Sequence, residues 1–154
     1  SRVITDYVNL IDDLEEDEYE GLLEAAREYN RSLLYRTNGY TTTPEQKEQY
    51  NKLLNIAGNG VMGYIEVPSI GVSLPVYHGT EDTVLQVAIG HLDWSSLPVG
   101  GESTHSVVSG HRGLPSAKLF TDLDRVELGD TFQITVLDQI LTYQVDQIKI
   151  IEAE

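Results

Sequence analysis

Four histidines and no cysteine set the chemistry this chain can do by itself. His111 has the most suggestive setting. Residues 104–109 read as a buried, apolar strand that delivers His111 at its end, Gly110 and Gly113 flank it, and residues 114–124 read as a short amphipathic helix. A strand that ends on a glycine-flanked imidazole offers a proton carrier at the mouth of a cleft, and the glycines let a substrate backbone approach. A lone strand-end histidine more often serves structure, so the setting rather than the residue type carries this reading.

The other candidates are weaker. His78, His91 and His105 read as structural. A zinc site built from the four histidines is disfavoured, because their spacing contains no helical His-x-x-x-His pair and fixes no carboxylate among them. Trp94, the single tryptophan, reads first as a partial core plug and only second as a contact for a bound peptide. Gly100-Gly101 lacks the strand, helix and basic support of a phosphate cradle. No cofactor is implied.

The 154 residues suit one domain with a modest core. A formal net charge of -15 argues against nucleic acid, which needs a basic face, and against an anionic membrane surface. No apolar run reaches the ~20 residues of a membrane span. The chain begins with Ser1 and ends directly after an apolar, strand-like run, so it is expected to be a cut piece.

Residues 3–36 read as two helices with a break near residue 16. Ile4, Tyr7, Val8, Ile11 and Leu14 form one apolar face; Tyr19, Leu22, Leu23, Ala26, Tyr29, Leu33 and Leu34 form the other. Asp17 to Glu20 resembles a capping box with Asp17 as N-cap. The acidic residues here read as a solvated face. After a polar turn over residues 37–43, Thr43-Pro44-Glu45-Gln46 opens a third helix, stopped at Gly58-Asn59-Gly60. From Met62 the pattern changes to short strands: Met62 to Pro68, Ser73 to His78, Thr131 to Val136 and Leu141 to Val145, the last two joined by a tight turn at Asp138-Gln139. Val84 to Ile89 reads as a short helix. The expected fold is mainly β, a small and mostly antiparallel barrel preceded by α-helices.

Residues 62–150 resemble the catalytic barrel of a class C, pilus-type sortase. The resemblance rests on blocks in order: Gly63 to Pro68, Leu74 to Thr80, Gly90-His91-Leu92, Ser96 to Gly101, Thr104 to Asp124, and Gly129-Asp130. It implies a division into a helical, lid-like region over residues 1–60 and a sortase-type barrel over residues 61–154. It also implies a cysteine transpeptidase on the extracellular face of a Gram-positive cell membrane, membrane-anchored in its parent protein. Its partners would be pilin subunits with Leu-Pro-x-Thr-Gly-like sorting signals, cleaved between Thr and Gly and passed through a thioester to a lysine amine. His111 falls on the family's catalytic histidine, Arg112 is not its catalytic arginine, and His91 lies in a loop of the pattern that is a candidate to line the cleft.

Two departures qualify the resemblance. The family's Cys and Arg strands lie downstream of Glu154, so the barrel is incomplete and this chain alone is expected to be inactive. The remainder would come from a separate C-terminal fragment or from strand exchange, and Ile148 to Ile151 would form an exposed apolar edge. Residues 36–61 also lack the Asp-Pro-aromatic triplet that anchors a class C lid. The rival reading is a non-catalytic surface barrel that binds a peptide or protein.

Overall fold

The computed structural model describes residues 1–111 and 122–152. The helix expected after His111 therefore lies largely outside the described residues.

Three helices precede the sheet: α1 (Arg2–Asp12), α2 (Glu16–Leu33) and α3 (Pro44–Lys52). The apolar stripe of α1 buries Tyr7 and Ile11, while Val8 faces outward. That of α2 buries Leu23, Ala26 and Tyr29, with Asn30 on the same face, and leaves Leu34 exposed. The capping box expected at Asp17 is not there. Helix α2 starts earlier, with Glu15 as N-cap, and the Asp17 carboxylate accepts from the Glu18 N–H instead. The box at Thr43 is complete: Thr43 Oγ1 accepts from the Gln46 N–H at 3.2 Å, and Gln46 Oε1 accepts from the Thr43 N–H at 3.0 Å. Helix α3 ends at Lys52, well before the glycines, because Leu53 turns extended and the buried Leu54 takes a left-handed φ of 57°.

Among the described residues six strands follow: β1 (Val61–Val67), β2 (Val72–His78), β3 (Ile89–His91), β4 (Val108–Ser109), β5 (Thr131–Val136) and β6 (Gln139–Gln144). Their order is β4-β3-β2-β1-β5-β6, so β4 and β6 are the two edges of a curled half-barrel. All pairings are antiparallel except β2 with β3. That parallel pair is joined by the short helix α4 (Asp82–Leu85), so the helix expected up to Ile89 ends earlier and Ile89 opens a strand.

Glycines permit two of the pairings. A Cβ on Gly63 would collide with the Thr135 carbonyl on β5, and one on Gly90 with the Gly79 carbonyl beyond β2. The β5–β6 turn is Leu137-Asp138, one residue earlier than expected. Leu137 is buried at a φ of 58°, and its N–H donates to the Tyr7 hydroxyl at 2.8 Å. Tyr7 in turn donates to the Met62 carbonyl at 3.0 Å, so α1 is bonded to β1 and to the hairpin at one oxygen. Burial pushes the Tyr7 hydroxyl up to about 12, which keeps it a donor.

One continuous core runs from the helices into the sheet, through Tyr7, Leu23, Ala26, Tyr29, Tyr50, Met62, Val76, Ile89, Leu97 and Val136. Ile148, Ile150 and Ile151 are exposed, as expected, but they lie outside the sheet rather than on a strand edge. Among the described residues, no helix is long and apolar enough to cross a membrane.

Candidate functional site

His111 follows β4 by two residues and is exposed. What sets its place is the short strand behind it. Ser109 pairs with Gly90 and Val108 with His91. The strand expected over His105 to Ser109 is reduced to two residues and is only half-buried. Before it, carbonyls still accept from backbone N–H groups, Leu92 to Val107 and Ser96 to His105, but the N–H groups go to serine side chains. The His105 N–H donates to Ser96 Oγ at 2.9 Å, and the Val107 N–H donates to Ser95 Oγ at 3.0 Å.

His91 is not in a loop and does not line the cleft. It is a β3 residue with no solvent exposure. Nε2 is 2.7 Å from the Ser96 carbonyl, which can only accept, so Nε2 carries the proton. Nδ1 is then a lone pair, and the Tyr50 hydroxyl donates to it at 2.7 Å. Burial of the ring pulls His91 down to about 4, so it is neutral at physiological pH. Tyr50 is buried as well, stacks on His91 with centroids 5.7 Å apart, and has its hydroxyl pushed far upward by the same desolvation.

The remaining candidates have other placements. His78 is half-buried, with its ring nitrogens 2.7 and 2.6 Å from the Gly60 and Leu53 carbonyls; it joins the end of α3 to the start of β1. His105 is exposed on the wall of a cavity. Trp94 is half-buried rather than a core plug. It packs edge-on against Tyr40 at 4.7 Å, and beside it Thr42 Oγ1 donates to the Asp93 carboxylate at 2.9 Å. These contacts hold the loop between α2 and α3 onto the loop between β3 and β4. Among the described residues, no three His, Asp or Glu side chains come together as a metal site.

The cavity holds about 570 Å³ on the concave face of the sheet. One wall is Leu97, Gly100, Gly101, Thr104, His105, Ser106 and Val108; the other is Ile65, Phe132, Ile134, Leu141, Thr142 and Tyr143. It thus spans the gap between the two edge strands, and its first wall ends three residues before His111. An exposed imidazole can exchange protons with a group bound within its reach. The chain has no cysteine and so no thiol.

Sequence reasoning missed Asn30. Its Nδ2 donates to the Leu97 carbonyl at 3.0 Å, and its Oδ1 accepts from the Leu97 N–H at 2.7 Å. The signal was present: Asn30 lies seven residues after Leu23 and four after Ala26, a polar residue within an apolar stripe.

Comparison with known proteins agrees with this architecture. Sortase C1 from Streptococcus agalactiae is 46% identical, covers 97% of this chain and 77% of its own, and superposes with a TM-score of 0.92. Sortase C from Clostridium perfringens, solved in an intermolecular complex with the C-terminal cell wall sorting signal motif, is 40% identical over 96% of this chain and 71% of its own, with a TM-score of 0.78. Sortase D from Bacillus subtilis (strain 168) is 29% identical over 92 residues, which are 60% of this chain. The chain spans only 43% of that relative's length. A family model for the sortase domain matches residues 65–154, more than half of the chain. The curled sheet, the helices before it and this match together place the chain in the sortase family.

Proposed function

We propose that this chain is the larger part of a cell-surface cysteine transpeptidase that joins pilin subunits, and that His111 is its general acid and base. The observation that carries the proposal is the exposed His111 two residues past β4, a strand whose Val108 lines an open apolar cavity, in a chain of the sortase family. The similar sortase C that was solved with a cell wall sorting signal motif supports a sorting peptide as substrate.

In this reading, residues 1–60 are the helical region that braces residues 61–154, and the cavity is closed by strands that bring the cysteine and an arginine. The thiolate attacks the Thr carbonyl of a Leu-Pro-x-Thr-Gly-like signal. As the tetrahedral intermediate collapses, the Thr–Gly C–N bond breaks, a thioester remains, and His111 gives its proton to the departing glycine amine. A lysine amine of the next subunit then attacks the thioester. The new C–N bond forms, the C–S bond breaks, and His111 takes the amine proton. The arginine and backbone donors would stabilise the oxyanion. The loop over residues 37–43 is held by Tyr40 on Trp94 and Thr42 on Asp93 rather than by an Asp-Pro-aromatic anchor.

The test is turnover of a Leu-Pro-x-Thr-Gly peptide by the cysteine-bearing full-length protein. His111→Ala should lower kcat by about 10²–10⁴-fold, and this chain alone should show no turnover. Wild-type turnover in His111→Ala would overturn the proposal.

A further inference from the structure

Only a short strand stands behind His111: β4 is two residues long and is an edge of the sheet. A pair of residues at a sheet edge holds a direction poorly by its own hydrogen bonds, yet an acid–base group must be held to within a fraction of an ångström. The structure supplies that constraint from the helix side. His91 is the partner of Val108 across the β3–β4 pair, and its ring reaches away from that pair into the core. There it accepts from Tyr50 on α3 and donates to the Ser96 carbonyl. Ser95 Oγ, 3.0 Å from the same Nε2, donates to the Leu92 carbonyl at 2.8 Å and accepts from the Val107 N–H. Asn30 on α2 holds the next residue, Leu97, by both of its backbone groups.

We infer that His91 is a positioning residue: through Tyr50 and Ser95 it locks the start of β4 to the helices and so fixes the direction in which His111 enters the site. The inference rests on the proposed role of His111. It assigns a use to an imidazole that touches neither the cavity nor solvent and that packing alone would not require. An apolar side chain could fill the space, but it would offer no donor to the Ser96 carbonyl and no acceptor to the Tyr50 hydroxyl.

Two mild substitutions test it in the full-length protein. Tyr50→Phe keeps the stacked ring and removes the hydroxyl; Ser95→Ala removes the oxygen that holds Val107. Each is expected to lower kcat about tenfold with KM within about twofold, measured where circular dichroism shows the variant fully folded. His91→Gln, which keeps a donor and an acceptor, should recover part of the kcat that His91→Leu loses. Should the leucine variant not fold, the NMR signal of the His111 ring in Tyr50→Phe decides: it should shift or split relative to wild type. An unchanged kcat in folded Tyr50→Phe and Ser95→Ala, or an unchanged His111 signal, overturns the inference while leaving the proposed function intact. Full turnover in His111→Ala would overturn the proposed function instead.

Discussion

On the β2–β3–β4 flank of the sheet, polar groups are buried and bonded from the helix side. Asn30 holds Leu97, Tyr50 holds His91, Tyr29 donates to the Asp93 carbonyl at 2.9 Å, and two serines take the N–H groups before β4. On the β5–β6 flank the helices reach the turn, through Tyr7 on the Leu137 N–H and Tyr19 on the Asp138 side chain. The hairpin itself carries a Phe132–Tyr143 stack at 5.4 Å and shows apolar side chains to solvent: Ile140 is 61% exposed and Tyr143 37%. Both flanks border the same cavity. The contrast teaches that this sheet is finished on one flank and open on the other. The first flank carries the candidate acid–base residue, while the second presents apolar side chains to solvent.

That contrast breaks most easily at Asn30. Asn30→Ala removes both partners of the Leu97 backbone, and Asn30 is 4% exposed, so water cannot replace them. Two orphaned groups cost about 3 kcal/mol together. Urea unfolding should show a loss of that order. A loss below about 0.5 kcal/mol would mean that the flank is not held by this bond pair.

Acid should open the same flank. His91 titrates near 6.5 when unfolded and at about 4 when folded, because burial disfavours its charged form. The unfolded chain therefore takes up the proton first as pH falls. The stability due to the neutral ring is present above pH 6.5, declines between 6.5 and 4, and is lost below that. The full difference is about 3 kcal/mol. His91→Gln should flatten this part of the pH–stability curve, and an equally steep curve in that variant would assign the acid sensitivity to other groups.

The open flank was the more legible one in the sequence. Strand β5 read to the residue and β1 to within one, while β6 was recognised but begins two residues before its expected start, because an alternating strand declares itself by residue type better than by its ends. The finished flank is harder because its order depends on distant partners. β3 is Ile89-Gly90-His91, whose glycine and histidine look like loop; the glycine is needed for close backbone approach, and the polar ring is satisfied only by a tyrosine 41 residues away in sequence. β4 looked longer than it is because Ser95 and Ser96 compete for the N–H groups that a ladder would use, a side-chain effect invisible to strand propensity. The turn at Leu137 was misplaced for a related reason. Nothing in a leucine signals a left-handed φ, and the hydroxyl that accepts its N–H belongs to residue 7. His111 itself stood out from its flanking glycines, but the residues that would hold it did not.

The smallest effect sharpens the comparison from the open side. Ile140 is on edge strand β6, opposite Thr135, and is mostly exposed. Ile140→Lys should change unfolding free energy by less than about 0.5 kcal/mol, because little apolar surface leaves the core. A lysine on an unpaired edge does, however, oppose strand addition by a second molecule. If the open flank is a pairing surface, sedimentation should show wild-type chains associating at high concentration and the lysine variant remaining monomeric. If both sediment alike as monomers, the flank does not self-pair. If the substitution instead destabilises the fold by more than about 1 kcal/mol, Ile140 is packed in solution and the two flanks are more alike than their exposure indicates.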